Sequence, residues 1–489
     1  MKYAFIHFHI KIIYLLFISL SVIIGNAVLK KENFIYMKKT NALTEGKILP
    51  SLLGFALPVF LAMFLQALYG GVDLLIVGQF AKTGDVSGVA TGSLLLHTIT
   101  SIITGLAMGI TILVGRRIGE ENPEEAGRAV GGGIALFSVI AILFTLIIPI
   151  FSDALASLMH APAEAFRETS DYIRICGIGS VFIVAYNVLG SIFRGIGDSK
   201  TPLITVAIAS VINILGDLLL VAVFDMGAAG AAIATVAAQG VSVILSLIII
   251  RRKKLPFEFS AKHVRFERDI INAELRLGTP IALQDLLVGI SFLIIQMLVN
   301  DMGVISSAAV GIGDKVCAFL LLIPAAFMQS MSAFVAQNLG ARKPDRAKQG
   351  LRWGIITSLA VGIVMAYFAM AHGDLLAKIF DNDPDVIKKA HLYLMAYGFD
   401  CILTPFLFCF IGYYNGCGRT GFVLFQGIFG AFAVRVPVVF LMSNIPNTNL
   451  FLIGISTPIS TVFQIIICLA VYKYLTEKTI RSLDANEIQ

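Results

Sequence analysis

Charge is scarce in this chain. Of its 489 residues only 14% are Asp, Glu, Lys or Arg, against about 25% in an ordinary soluble domain. Tryptophan occurs once, and the six cysteines (Cys176, Cys317, Cys401, Cys409, Cys417, Cys468) contain no C-x-x-C pair. They lie inside apolar stretches, apart from Cys417 in a short connection, and read as small core residues rather than a disulfide framework or metal site. No H-E-x-x-H, G-x-S-x-G or G-x-x-x-x-G-K-[ST] string is present. The nearest lookalike, GIGDSK at Gly195 to Lys200, lacks the glycine that must precede its lysine, so a phosphate-binding ATPase loop is excluded along with zinc-protease and serine-hydrolase chemistry. What fills the chain instead is hydrocarbon: 57% of residues are hydrophobic and the mean hydropathy is +0.87. This composition excludes a soluble enzyme, a nucleic-acid binder and a disordered regulator, despite a net charge of +6. The protein reads as an all-α integral membrane protein.

A helix needs about 20 apolar residues to cross some 30 Å of hydrocarbon. Windows of that length give twelve spans after the first 36 residues, near 48–80, 86–114, 129–151, 170–193, 201–224, 227–250, 277–300, 305–335, 353–372, 389–414, 421–443 and 450–474. Prolines fall inside several of them (Pro58, Pro280, Pro324, Pro405, Pro437, Pro458) and there are 44 glycines, so kinked, closely packed helices are expected. Residues 1–36 stand apart as an N-terminal extension. Ile12 to Ile24 is a short apolar run behind Lys2 and Lys11, the shape of a signal-like segment or of an upstream start. Met37, followed by KKTNALTEGKILP, reads as a natural beginning.

Basic residues alternate with the loops. Lys38, Lys39 and Lys47 precede the first span; Arg116, Arg117 and Arg128 follow the second; Arg194 and Lys200 follow the fourth. The sixth connection carries Arg251, Arg252, Lys253, Lys254, Lys262, Arg265, Arg268 and Arg276, and the eighth Arg342, Lys343, Arg346, Lys348 and Arg352. The opposite loops hold few: Lys82, Arg167, Lys378, Lys388, Lys389. The positive-inside rule then places both termini in the cytoplasm and explains the basic charge without nucleic acid.

The most informative feature is an internal repeat. One constant shift of the chain along itself lays VGRRIGEENPEEAGRA (Val114 to Ala129) on VAQNLGARKPDRAKQG (Val335 to Gly350), matching Gly119 with Gly340, Pro123 with Pro344 and Ala126 with Ala347. Without a gap the same shift also matches Asp153 with Asp374, Tyr172 with Tyr393 and Gly177 with Gly398, and carries RGIGDSK onto NGCGRTG. Each half holds six spans, an even number, so the halves insert the same way up and are related by a pseudo-two-fold along the membrane normal. The expected organisation is 37–250 as an N-lobe of helices 1–6, 251–276 as a basic cytoplasmic linker, 277–475 as a C-lobe of helices 7–12 and 476–489 as a cytoplasmic tail.

An ionised side chain at mid-bilayer costs about 2.5–3.5 kcal/mol, which makes each one a functional candidate. In the first half these are Asp73 and Asp217, with Asn213 one turn before Asp217 and Thr235 in the sixth span. Counted from the outer ends of their spans, Asp73, Asp217 and Thr235 lie at one depth, about 11 Å at 1.5 Å per residue. Two carboxylates brought together cannot both ionise cheaply. The same groups also read as interhelical hydrogen bonds or kink caps. The second half offers Asp285, Asp400 and Arg435, with Asp400 or Asp285 the expected partner of Arg435, either as structural glue or as part of a C-lobe cavity. Asp314 and Lys315 read as a solvated interfacial pair.

At these residues a family resemblance emerges. FALPVFLAMFLQALYGGVDLLIVGQF, with Pro58 fifteen residues before Asp73, the RGIGDSKTP connection, DMGAAGAAIAT at Asp225 to Thr235 and VAQNLGARKPDRA resemble the multidrug and toxic compound extrusion (MATE) transporters from Met37 to about Lys478. The resemblance implies two six-helix bundles in a V around a central cavity, and an antiporter exporting amphipathic organic compounds, drugs and toxic cations, by alternating access in exchange for H+ or Na+. It also implies a multi-pass protein of the cytoplasmic (inner) membrane, a monomer with no cofactor, no metal, no nucleic-acid partner and no enzymatic activity, whose partners are small organic substrates and membrane lipid. Asp73, Asn213, Asp217 and Thr235 fall where the DinF-like branch has its cation or proton site. The NorM-like branch has a glutamate where this chain has Val288, and an aspartate near Thr404 where this chain has Asp400 one turn away. Pro58 and the Gly70-Gly71 pair are the expected hinge of the first span. A flippase for lipid-linked saccharides is the alternative, disfavoured because Arg435 is nearly alone among buried cations. A multispan membrane transferase is further off, since the one acidic cluster (Glu120, Glu121, Glu124, Glu125) sits among arginines at a helix start.

A chain beginning at Met37 retains the whole repeat and all twelve spans, and is expected to insert and transport as the full chain does. Membrane fractionation and efflux of the truncated protein check this; loss of either would make the leading apolar run a working helix or signal.

Overall fold

The computed structural model describes residues 43–487 except 254 and 258, so the extension 1–36 and the start at Met37 lie outside the described residues. Every described element is helical, the arrangement lipid imposes by requiring each backbone polar group to be bonded within its own segment. Among the described residues ten helices are long and apolar enough to cross a membrane, and two bent pairs bring the spans to twelve. In the first half they are α1 (Ile48–Phe80), α2 (Thr83–Gly119), α3 (Pro123–Ile150), α4 (Ala163–Ile178 then Ser180–Gly195), α5 (Lys200–Val223) and α6 (Gly227–Arg252). The second half holds α7 (Arg268–Asn300), α8 (Val304–Leu320 then Leu322–Gly340), α9 (Pro344–Ala371), α10 (Pro384–Gly416), α11 (Thr420–Ser443) and α12 (Leu450–Tyr474).

Several helices run past the apolar windows at the end that carries the basic loops. Proline at the first helical position starts α3, α9 and α10, where the missing N–H costs nothing. Asn122 caps α3 by accepting from Glu125 N, and Asp383 caps α10 by accepting from Asp385 N and Val386 N. The connection between α6 and α7 therefore spans 253–267, because the first turns of α7 from Arg268 are already helical. It is fastened to the N-lobe by Arg128, which pairs with Glu125 and Glu267, while Arg265 donates to Glu267 at 2.7 Å. Hydrogen bonds from those two guanidiniums hold the Glu267 carboxyl down at about 2.

The repeat holds at the level of single atoms. Asn122 N donates to Arg117 O as Lys343 N does to Asn338 O, and Asp198 N donates to Phe193 O as Arg419 N does to Tyr414 O. Glu121 and Arg342, equivalent positions of the repeat, both take the left-handed conformation (φ 54° and 56°), as do Gly197 and Gly418 (φ 83° and 73°). Within each half α1 packs on α5 as α7 packs on α11, and α2 on α4 as α8 on α10. These are two pseudo-symmetric six-helix bundles.

The bundles meet at the basic end, where α2 packs against α7 and α8, and α1 against α8 and α9. At the crossing of α2 and α8 a Cβ on Gly119 would overlap the Gln337 carbonyl, and one on Gly340 would overlap the Arg116 carbonyl. The pseudo-two-fold runs through this crossing, since Arg116 and Gln337 are themselves equivalent under the repeat. Two more close approaches, Gly105 against Ala282 and Gly278 against Leu106, extend the seam along α2 and α7. The segment before α1 is tied to the other bundle: Arg346 donates to the carbonyls of Leu43, Glu45 and Gly46, and Asn338 Nδ2 to Leu43 O.

Symmetry fails where helices break. In the first half α4 bends by 57° at Gly179, into which Val236 of α6 packs, whereas its counterpart α10 passes through Pro405 unbroken. In the second half α8 bends by 41° just ahead of Pro324, whereas α2 is continuous. Two wide π-helical segments, Leu218–Val223 and Phe429–Arg435, interrupt α5 and α11 at different points of the repeat. One begins directly after Asp217 and the other ends on Arg435.

Gly119→Val and Gly340→Val are each expected to wedge the basic end apart, at an overpacking cost of about 1–3 kcal/mol. Cys417 lines a groove there with Arg116 and Arg276, and its rate of thiol labelling should rise in both variants. Gly54→Val, at a glycine with nothing within 4 Å, serves as the control. Unchanged labelling in the wedged variants would show that the crossing does not hold the lobes together.

Candidate functional site

Three helices of the first bundle converge on one carboxylate. Asp73 on α1 is 6% exposed, and Asn213 and Asp217 on α5 are fully buried. Asn213 Nδ2 donates to Asp73 Oδ1 at 3.2 Å, and Thr235 Oγ1 on α6 donates to Asp73 Oδ2 at 3.2 Å. A longer contact of 3.4 Å joins Asn213 Nδ2 to Thr235 Oγ1. Asn213 and Asp217, four residues apart on α5, share the face turned to α1. The Asp217 carboxyl lies within hydrogen-bonding reach of Asp73, yet neither of its oxygens accepts a bond from an N–H or O–H donor, and Asn213 Oδ1 is likewise buried without a partner. Two carboxyls can bond to each other only with a proton between them, and the three idle oxygens are equally suited to a small hard cation. The structure thus brings together all four residues singled out in the first half.

Asp73 and Thr235 line a cavity of about 700 Å³, with Asn213 and Asp217 packed behind them. Its lining comes mostly from α1, α2, α4, α5 and α6, with Asp285, Leu322 and Gln329 contributed by the second bundle. Three lining groups escape a search for charge alone. Gln66 and Tyr69 precede Asp73 by seven and four residues, and Gln239 follows Thr235 by four; each spacing returns to the same helix face. Tyr69 reaches both Gln66 and Gln239, so α1 and α6 are bridged one turn nearer the basic end than the acids. The helical stripe Gln66, Tyr69, Asp73 is the signal that would have found them.

In the second bundle the expected grouping does not form. Asp285 opens onto the cavity, whereas Asp400 and Arg435 are not among its lining residues and are 3% and 5% exposed inside the bundle. No ion pair joins Arg435 to either acid among the described residues. Arg435 Nη1 donates to Ser291 Oγ at 2.9 Å and its guanidinium lies 4.4 Å from the centre of the Phe292 ring. The expected salt bridge is thereby replaced by one hydrogen bond and a cation–π contact. Asp400 sits beside Thr461 and feels Arg435 only at longer range. The Asp314–Lys315 pair also separates: Asp314 accepts from Tyr393 at 3.0 Å, and Lys315 lies over Phe380. The hinge candidates show no break, α1 being one helix through Pro58 and Gly70-Gly71, although a side chain added at either glycine would meet nothing within 4 Å.

One acid was missed because its position read as linker. Glu274 on α7 is 1% exposed and enters the first bundle against Gly109 of α2 and Gly133 of α3, with neither carboxyl oxygen bonded. Hydropathy gives no sign of it, since it belongs to the polar first two turns of α7, which the bundle contact buries.

The MatE family model matches the chain twice, over residues 58–219 and 280–441, two segments of equal length that each start on a proline. A probable multidrug resistance protein of Bacillus subtilis, YoeA, is 25% identical over 87% of this chain and 93% of its own length. The multidrug export protein MepA of Staphylococcus haemolyticus is 22% identical over 85% and 90% respectively. Among solved structures, the outward-facing conformation of a multidrug resistance MATE transporter superposes with a TM-score of 0.84 at 20% identity, covering 91% of this chain and 99% of that one.

Asn213→Ala would strip Asp73 of one of its two donors and is expected to cost about 1–3 kcal/mol, the penalty for leaving a buried acceptor short of a partner. Asp217→Asn removes no conventional hydrogen bond and should cost less. Thermal unfolding of the two variants in one detergent checks the order; the reverse order would mean that Asp217, not Asp73, is the node of the cluster.

Proposed function

The chain belongs to the MATE family of transporters, and from that premise we propose that it is an antiporter exporting amphipathic organic compounds in exchange for H+ or Na+. Asp73, Asn213, Asp217 and Thr235 form the coupling site, in the manner of the DinF-like branch. One observation carries this reading: a buried carboxyl, Asp73, in the wall of a cavity large enough for an organic molecule, with a second carboxyl, Asp217, and its idle oxygens directly behind it. The even span count and the basic loops support cytoplasmic termini in the inner membrane, and with that orientation the sealed basic end makes the cavity face outward. A proton or sodium ion arriving from outside then meets the acids before reaching the substrate. Its binding removes their need for polar surroundings and frees α1, unobstructed at Gly70 and Gly71, to repack across the cavity and weaken the substrate's hold. Each charge moved inward down 100 mV supplies about 2.3 kcal/mol. The cavity of mixed polarity favours this reading over a saccharide-lipid flippase.

Ion-gradient-driven dye efflux from proteoliposomes tests it. Asp73→Asn and Asp217→Asn should each abolish coupled export while leaving insertion intact, and the double variant should be little worse than either, because groups acting as a unit are not additive. Wild-type efflux in either single variant would remove that residue from coupling. Asp285→Asn is expected to alter substrate affinity without changing the ions moved per substrate, as read from reversal potentials; a changed ratio would bring the second bundle into coupling.

A further inference from the structure

Arg194 is the side chain that loop counting misplaces. By position it belongs with the basic residues that end α4, but its guanidinium does not reach for the polar surface. Helical side chains lean towards the helix N-terminus, and for α4 that direction leads up into the membrane. The guanidinium folds back over Gly190, where an added Cβ would lie 3.3 Å from Nη1, and it lines the cavity. Nη2 donates to Ser191 Oγ at 2.9 Å. Nε is buried with no partner, and among the described residues no carboxylate lies within ion-pair distance. Tyr186, two turns up α4, is the polar neighbour. The acids of the same cavity, Asp73 and Asp285, line it from other helices.

A half-buried guanidinium on the wall of an intramembrane cavity, with its Nε enclosed and no counter-ion, is costly. Here no described residue neutralises it, while Nη1, to which no described residue bonds, and the second hydrogen of Nη2 form the end-on fork that matches a carboxylate or phosphate. We propose that Arg194 is an anion-binding subsite of the cavity, receiving the acidic head of an amphipathic substrate whose apolar body lies along α1 and α2. With the acids on the other walls, the cavity then takes zwitterions and amphiphilic acids, beyond organic cations alone. This rests on the export reading of the same cavity. The shared ligand chemistry is an anionic head on an apolar body, whether a free amphiphile or a lipid.

The test uses two fluorescent probes that differ only in that head: rhodamine B, which carries a carboxylate, and its ethyl ester, which does not. Binding to the purified full chain in neutral detergent is followed by anisotropy, with size exclusion confirming that each variant is folded. Arg194→Gln should weaken rhodamine B by about tenfold or more, the scale of a lost charge-assisted pair, and leave the ester within about twofold; Arg194→Lys should recover part of the loss. Equal weakening of both probes, or of neither, would overturn the subsite. If short-chain phosphatidylglycerol, but not phosphatidylcholine, displaces rhodamine B from the wild type and fails to do so in Arg194→Gln, the subsite stands with a lipid head as its ligand. Export is scored separately in vesicles: a wild type that binds both dyes and moves neither would sink the export reading and leave the subsite, whereas export of both dyes unaltered by Arg194→Gln would do the opposite.

Discussion

The close crossing of α2 and α8 at Gly119 and Gly340 is the constraint on which the rest of the architecture depends. In lipid there is no hydrophobic force between helices, so association comes from packing, and small residues let backbones approach. Here each glycine faces a carbonyl of the opposite helix, and the two contacts are related by the repeat. The seam along α2 and α7 and the clamp of Arg346 on residues 43–46 lie at the same end. With the bundles joined there and packed elsewhere mostly within themselves, the space between them opens at the other end, and the cavity follows from that geometry.

Duplication supplied two copies of the frame but one copy of the chemistry. The repeat equivalents of Asp73, Asn213 and Asp217 are Ile294, Val434 and Val438, and Thr235 is matched by Ser456. The second bundle is therefore apolar where the first gathers oxygens. Two of its charges are held inside the bundle, Arg435 on Ser291 and Phe292 and Asp400 beside Thr461, whereas Asp285 opens onto the cavity. The broken helix also sits in a different place in each half. A frame that is symmetric at its crossing and asymmetric in its walls can hold one ion-binding lobe against a second lobe that supplies surface.

Much of the frame could be read from the chain because it rests on length and period. A span needs a fixed run of apolar residues, and an unbroken offset that carries Gly119 onto Gly340 is visible without any structure. The four groups of the cluster were legible for a related reason: charge is so costly in lipid that each acid marks itself, and depth could be counted from the ends of the spans. What escaped depends on rotation and direction. Arg194 lies at a helix end, where a long side chain can turn to water or back along the helix, and only packing over Gly190 decides between them. Glu274 is buried by a neighbouring bundle, not by its own helix. Arg435 was assigned an acidic partner because attraction falls off slowly with distance, but a hydroxyl and an aromatic face were nearer.

The two π-helical segments suggest why these charges stand where they do. A π turn widens the helix by one residue and leaves backbone groups less regularly paired, an arrangement found mostly at functional sites. In α5 it starts immediately after Asp217, so the residues beyond it are turned relative to an unbroken helix and the acid is left on the face shared with Asn213. In α11 it ends on Arg435 and presents the guanidinium to α7. The two insertions fall at different points of the repeat, so neither is the counterpart of the other. The α5 segment leaves Asp217 beside Asn213, behind Asp73 and the cavity wall, while the α11 segment turns a cation onto α7 and away from the cavity. The polarity of the cavity is thus set by where each helix was widened, as much as by which residues the two halves retained.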